Sequence, residues 1–103
     1  YVREFLLELE KSNNELYKTT IGLIDTLKDS EYHFPPTSKS LGGGLFELKC
    51  SFGKNTCRIN WCKGGKRKVY LLNGFIKKDK KRQNREIKKA RKLIVELKER
   101  GII

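Results

Sequence analysis

The sequence predicts an α+β fold: an N-terminal helical hairpin, a three- to four-stranded antiparallel sheet and a C-terminal helix, in one domain spanning 1–103. Three observations carry the prediction. Apolar residues recur at helical spacing up to Leu27 and again from Ile87. Between these stretches lie three runs rich in β-branched and aromatic residues, separated by glycine-bearing breaks. A chain of 103 residues, 37% apolar, is the size of one domain and can cover three or four packed elements.

In 1–10, Val2, Phe5, Leu6 and Leu9 follow the i, i+3, i+4, i+7 spacing of one helix face. Ser12-Asn13-Asn14-Glu15 then reads as a capping box, with Ser12 as N-cap and Glu15 reaching back. The second helix faces Leu16, Leu23, Ile24 and Leu27 inward and ends near Ser30. A break this short makes an antiparallel hairpin the simplest arrangement. Pro35-Pro36 forbids helix continuation and opens a polar loop through Ser38, Lys39 and Ser40 into Gly42-Gly43-Gly44.

Strands are expected over 45–52, 56–63 and 66–75. Two-residue loops at Lys54-Asn55 and Gly64-Gly65 would set the register. Leu48, Cys50 and Phe52 then share a face with Cys57, Ile59, Trp61, Tyr70 and Leu72, and that face packs on the N-terminal helices. The other face collects Lys49, Ser51, Arg58, Asn60 and Arg67, with Val69 and Leu71 mixed in, and stays open to solvent. A one-residue slip would bury Lys49 and Arg58 without partners, at high cost. The last helix is capped by Asn84, carries the stripe Ile87, Ala90, Ile94, Leu97, and stops at Gly101.

The formal net charge is +12, unevenly placed. Residues 1–48 hold 5 basic and 8 acidic side chains; residues 49–103 hold 19 and 4. A cationic half on a near-neutral scaffold points to a polyanionic partner, and phosphate backbones are the commonest one. A merely solvated lysine-rich surface is the bland alternative. No apolar run approaches eighteen residues and no signal-peptide core is present, so no membrane association and a cytoplasmic location are expected. The chain opens on Tyr1 rather than Met, consistent with sequence missing ahead of it. Cys50, Cys57 and Cys62 with His33 lack a Cys-x-x-Cys pair, which favours buried free thiols over a zinc site. The glycine triplet precedes a strand and no Gly-Lys-Ser or Gly-Lys-Thr follows, so it reads as a strand entry rather than a phosphate loop.

No triad or metal-binding carboxylate pattern is available, and the acidic residues suit helix surfaces. What remains is cationic: Lys49 and Arg58 on the open face, then five cations in the six residues from Lys77 to Arg82. Such a set can run one reaction without cofactor or metal. RNA carries its own nucleophile, the 2′-hydroxyl, and holding it in line with the adjacent phosphate supplies much of the rate. Fixed Arg and Lys groups stabilise the charge that builds on the phosphate, and a lysine among like charges can act as base. Phosphate neutralisation without chemistry is the competing reading.

Four segments carry a resemblance: Gly44-Leu45-Phe46-Glu47-Leu48-Lys49, Cys57-Arg58-Ile59, Val69-Tyr70-Leu71-Leu72-Asn73-Gly74-Phe75-Ile76-Lys77-Lys78 and Arg85-Glu86-Ile87-Lys88-Lys89-Ala90. In order and spacing they resemble the phage-derived, HigB-like branch of the RelE/ParE toxin superfamily. Val2-Arg3-Glu4-Phe5-Leu6 and Ser38-Lys39-Ser40-Leu41 are similar to that branch's first helix and pre-strand loop. The resemblance implies the toxin of a type II toxin–antitoxin system, an endoribonuclease that cuts messenger RNA on the translating ribosome. It also implies a heterocomplex with a cognate antitoxin bearing a helix-turn-helix domain.

By matching position, Lys49 replaces the branch's strand arginine, Arg58 keeps its arginine, Lys77 and Lys78 keep a lysine pair and Lys81 a third basic position. The resemblance thus implies Lys77, Arg58 and Lys49 as catalytic: Lys77 as base or phosphate positioner, Arg58 as charge stabiliser, Lys49 on a flanking phosphate. Lys78, Lys81, Arg82 and Arg67 would bind RNA, and Phe75 either stacks on a base or is buried at the strand end. Departures are Asn73 for the branch's histidine, Cys57 for its tyrosine, and Asp79-Lys80 and Arg82-Gln83 for Thr-Gln and Thr-Pro. The branch's leading edge strand, which precedes the first helix, is not within the sequence that opens on Tyr1. Some superfamily members poison DNA gyrase, so a gyrase poison and a non-catalytic nucleic-acid- or ribosome-binding module stand as alternatives.

Overall fold

The computed structural model describes residues 2–29, 38–65 and 68–103. Tyr1, Ser30, His33, Pro35-Pro36 and Arg67 lie outside the described residues, and with them the proline-led loop and one expected RNA-binding cation. The described elements run α1 (Val2–Ser12), α2 (Asn14–Asp29), β1 (Ser38–Gly42), β2 (Leu45–Phe52), β3 (Asn55–Lys63), β4 (Val69–Ile76) and α3 (Lys80–Glu99). The strands form one antiparallel sheet in the order β1-β2-β3-β4. The fold class is therefore α+β, with two helices leading, four strands and a closing helix. No helix among the described residues is long and apolar enough to cross a membrane.

The hinge between α1 and α2 is set by Asn13 rather than Ser12. Ser12 completes α1, and the Asn13 side chain accepts from the Leu16 amide at 3.1 Å. That amide is the third of α2, the donor an N-cap oxygen reaches. Leu9, Leu16, Ile24 and Leu27 are buried against Leu48, Cys50, Cys57, Ile59 and Trp61, with Phe5 and Leu6 at the margin. Trp61 stacks on Phe46 with ring centroids 4.5 Å apart. Gly74 lets α1 come this close: a Cβ there would stand 2.8 Å from Ile59 Cδ1 and would overlap the Phe5 ring.

Several strand expectations shift. Ser38, Lys39 and Ser40 do not belong to a loop; they form edge strand β1, joined to β2 across Gly43-Gly44. All three glycines of 42–44 take positive φ, so the triplet makes a hairpin turn. The β2–β3 loop is Gly53-Lys54, with Phe52 opposite Asn55, because Gly53 at φ +60° suits the first position of a primed turn. Moving the loop by one residue slides the partner by two, so every β2 and β3 side chain keeps its expected face.

The β3–β4 connection is longer than Gly64-Gly65. Lys63 pairs with Val69, and the Gly64 amide donates to the Lys68 carbonyl at 2.8 Å. The longer loop reverses the alternation of early β4. Val69 and Leu71 pack with α1 and α2, whereas Tyr70 and Leu72 join α3. A bulge between Asn60 and Trp61 leaves Leu72 as an extra residue in β4.

The second face of the sheet is not left open. α3 lies on it, burying Leu45, Cys62 and Leu72 against Ala90 and Ile94. The helix starts at Lys80, capped by Asp79, whose side chain accepts from the Arg82 amide at 2.8 Å; Asn84 stands in its second turn. It ends as expected at Gly101, φ +70°, with Ile102 N donating to Leu97 O and Gly101 N to Lys98 O.

The three thiols are free and buried. Cys50 stands opposite Cys57 in the ladder. A hydrogen bond to Cys57, reinforced by burial, pushes the Cys50 thiol up, and burial raises Cys62 against the opposing field of Lys98.

Candidate nucleic-acid interface

Cross-strand pairing arranges the α3 side of the sheet in rows, since directly opposed residues share a face. One row is Leu45, Cys62 and Tyr70; the next is Glu47, Asn60 and Asn73; the third is Lys49, Arg58 and Phe75. α3 covers the first with apolar side chains and reaches the second with polar ones. Gln83 Nε2 donates to Glu47 Oε2 at 3.3 Å, and Asn73 Nδ2 donates to the Glu86 carbonyl at 3.0 Å. Asn60 Nδ2 in turn donates to Asn73 Oδ1 at 3.2 Å.

The third row lies where the cover ends. Lys49 is exposed, while Arg58 retains 8% exposure and Phe75 1%. Arg58 is therefore not a free cation on an open face. Its Nη1 donates to Glu47 Oε1 in a buried ion pair, and Lys39 Nζ stands 4.0 Å from the same oxygen. Glu47, 1% exposed, is the residue that sequence reasoning missed. It lies diagonally across from Arg58 in the ladder, a neighbour relation that only the true register reveals. The pairing is physically required: a guanidinium this deep beside Lys49 would otherwise be an uncompensated charge. Arg58 Nε remains buried without an acceptor among the described residues.

Phe75 has no exposed ring face, so base stacking gives way to strand-end burial. Lys77 follows at the exit of β4. Its amide donates to the Thr56 carbonyl at 3.0 Å, continuing the ladder one step past the Cys57–Ile76 pair. Alternation assigns Lys77 to the Arg58 face. Lys77, Lys78 and Lys81 are exposed. The structure thus brings Lys49 and Arg58 into one row, with Lys77 at the adjoining strand exit. Arg82 goes elsewhere: it is set about 100° around α3 from Gln83 and lines a separate cleft with Arg85, Glu86 and Lys89.

This corner can hold phosphates by charge and can present one oriented guanidinium next to them. Together, fold and corner define a small α+β protein with a cationic sheet margin backed by a buried Glu–Arg pair. The profile of the phage-derived protein Gp49-like family (DUF891) matches residues 4–95, and the chain belongs to that family, which is associated with toxin–antitoxin systems. No curated protein and no solved structure matches the chain.

Proposed function

We propose that the protein is the toxin of a type II toxin–antitoxin pair, of the HigB-like kind, and that it cleaves messenger RNA on the translating ribosome. The observation that carries this is a cationic row, Arg58 oriented by Glu47 and paired across the ladder with exposed Lys49, next to the strand exit that carries exposed Lys77 and Lys78. In the proposed reaction the 2′-oxygen forms a bond to the adjacent phosphorus. The 5′-oxygen of the next nucleotide leaves and takes a proton from water, giving a 2′,3′-cyclic phosphate and a free 5′-hydroxyl. Lys77 accepts the 2′-proton or positions the phosphate, Arg58 stabilises the charge gathering on the phosphate oxygens, and Lys49, Lys78 and Lys81 hold neighbouring phosphates. The antitoxin silences the toxin by binding it.

A second reading, occlusion of RNA or ribosome without cutting, is favoured by Asn73. Its amide is engaged with Asn60 and the Glu86 carbonyl and offers no titrating proton. A translating extract separates the two. Wild-type protein should cut reporter mRNA inside the coding region, and Lys77→Ala should lower the rate by roughly 10²-fold or more without altering the melting curve. Arg58→Lys, which keeps a buried cation for Glu47 but loses the guanidinium fork, should also cut poorly. Full-length transcripts on ribosomes saturated with wild-type protein would sink the nuclease reading and leave occlusion.

A further inference from the structure

The groove between α3 and the outer edge of β4 has no role in the chemistry above. Resting on the toxin–antitoxin reading, we propose that this groove docks an extended segment of a partner protein that carries carboxylates at one end and apolar side chains at the other.

Residues 82, 85, 89, 93, 97 and 100 recur at three- and four-residue intervals, which places them along one flank of α3. The flank changes character halfway. Its N-terminal half is a polar cleft of about 510 Å³ lined by α3 residues alone, in which Arg82, Arg85 and Lys89 outnumber Glu86. Its C-terminal half is a second cleft of about 230 Å³, where Leu93 and Leu97 face Leu71 and Leu72, with Glu96 and Arg100 also in the lining. Regular alternation would send Leu71 and Leu72 to opposite faces. Leu71 belongs to the side of α1 and α2 and Leu72 to the side of α3, so a cleft lined by both reaches around the outer edge of β4.

The strand beside this flank is the last in the sheet. Among the described residues no strand pairs with the outer edge of β4, whose backbone groups are available to a further strand. β4 and α3 run antiparallel: Asn73 reaches Glu86, while the earlier Leu71 and Leu72 meet the later Leu93 and Leu97. A segment laid along β4 would therefore pass both halves of the groove in turn. Main-chain pairing gives such a ligand affinity and the two clefts give it register. The cationic half, on a chain of net charge +12, selects carboxylates. The leucine half selects against nucleic acid, whose backbone would bring phosphates to four leucines and the Glu96 carboxylate.

The test is selection of short random peptides displayed on phage against the intact, immobilised chain. Enriched peptides should carry Asp or Glu toward one end and Leu, Ile or Val toward the other. Bound peptide should slow amide exchange in β4. The exposed pair Arg85→Glu with Lys89→Glu should weaken binding by roughly tenfold or more, and Leu93→Asn should do the same at the other end. Each variant is checked by its melting curve. If Leu93→Asn fails to fold, the charge reversal decides alone. Absence of enrichment, or peptides that bind the variants as tightly as wild type, would overturn the proposal. So would a charge reversal that weakens RNA binding but leaves peptide affinity unchanged. RNA cleavage is measured separately on wild type without peptide: its loss would remove the nuclease reading alone, and missing peptide binding beside intact cleavage would remove the docking site alone.

Discussion

Arg58 and Glu47 show how far one residue's role depends on a neighbour eleven positions away across the β2–β3 turn. Two ions taken from water cost several kcal/mol each unless they meet in good geometry, and here Gln83 and Lys39 complete the carboxylate's shell. Truncating Arg58 would leave Glu47 buried and charged. Arg58→Ala should therefore lose about 3–5 kcal/mol of folding stability, read by urea denaturation. Adding Glu47→Leu should return a large part of that loss, because the orphaned charge goes with it. A single Arg58→Ala no less stable than wild type would mean that the pair is not buried in solution. Alternation alone located Lys49 and Arg58 on one face. It could not reveal Glu47 as Arg58's partner, since that relation needs the register, nor the burial of Phe75, which depends on what covers the strand.

At the scale of elements, composition located every helix and three strands, and the errors sit at junctions. β1 was hidden because Ser38-Lys39-Ser40 has no β-branched residue and earns its pairing only through the Gly43-Gly44 turn. The faces of early β4, up to the bulge at Leu72, were reversed by a connection longer than its two glycines suggested, a parity change that no strand pattern records. The start of α3 was misplaced because a dense run of cations reads as a loop, although Lys and Arg are good helix formers. Asp79 settles it: its carboxylate caps the Arg82 amide and sets a negative charge at the positive end of the helix dipole. Asp79→Ala should cost about 0.5–2 kcal/mol. Asn84→Ala, in the exposed second turn, should be neutral or slightly stabilising by helix propensity. Equal losses from the two substitutions, measured by thermal unfolding, would contradict a helix beginning at Lys80.

For the whole molecule, the separation of charge is matched by a separation of labour in space. The near-neutral first half supplies α1, α2 and β1, together with Glu47 to hold Arg58; the cationic second half supplies α3 and the strand exit. Of the net +15 beyond residue 48, only part can act on a phosphate chain at the sheet corner. Arg58, already paired with Glu47, adds little net charge to ground-state binding and acts on the transition state instead, Arg91 bonds the carbonyls of Leu41 and Gly42, and Arg82, Arg85 and Lys89 line the flank of α3. Of the exposed lysines at the corner and its exit, four are the expected phosphate contacts: Lys49, Lys77, Lys78 and Lys81. Each phosphate neutralised on a single strand contributes about −0.7 to the slope of log affinity against log salt, so a short RNA should bind with a slope near −3. Lys77→Ala should make that slope shallower by about 0.7, and Arg85→Glu should leave it nearly unchanged for an RNA too short to leave the corner. Fluorescence anisotropy across a salt series reads both. A slope several times steeper, equally sensitive to Arg85 and Lys77, would show the RNA lying along α3 and would take the groove away from a protein partner.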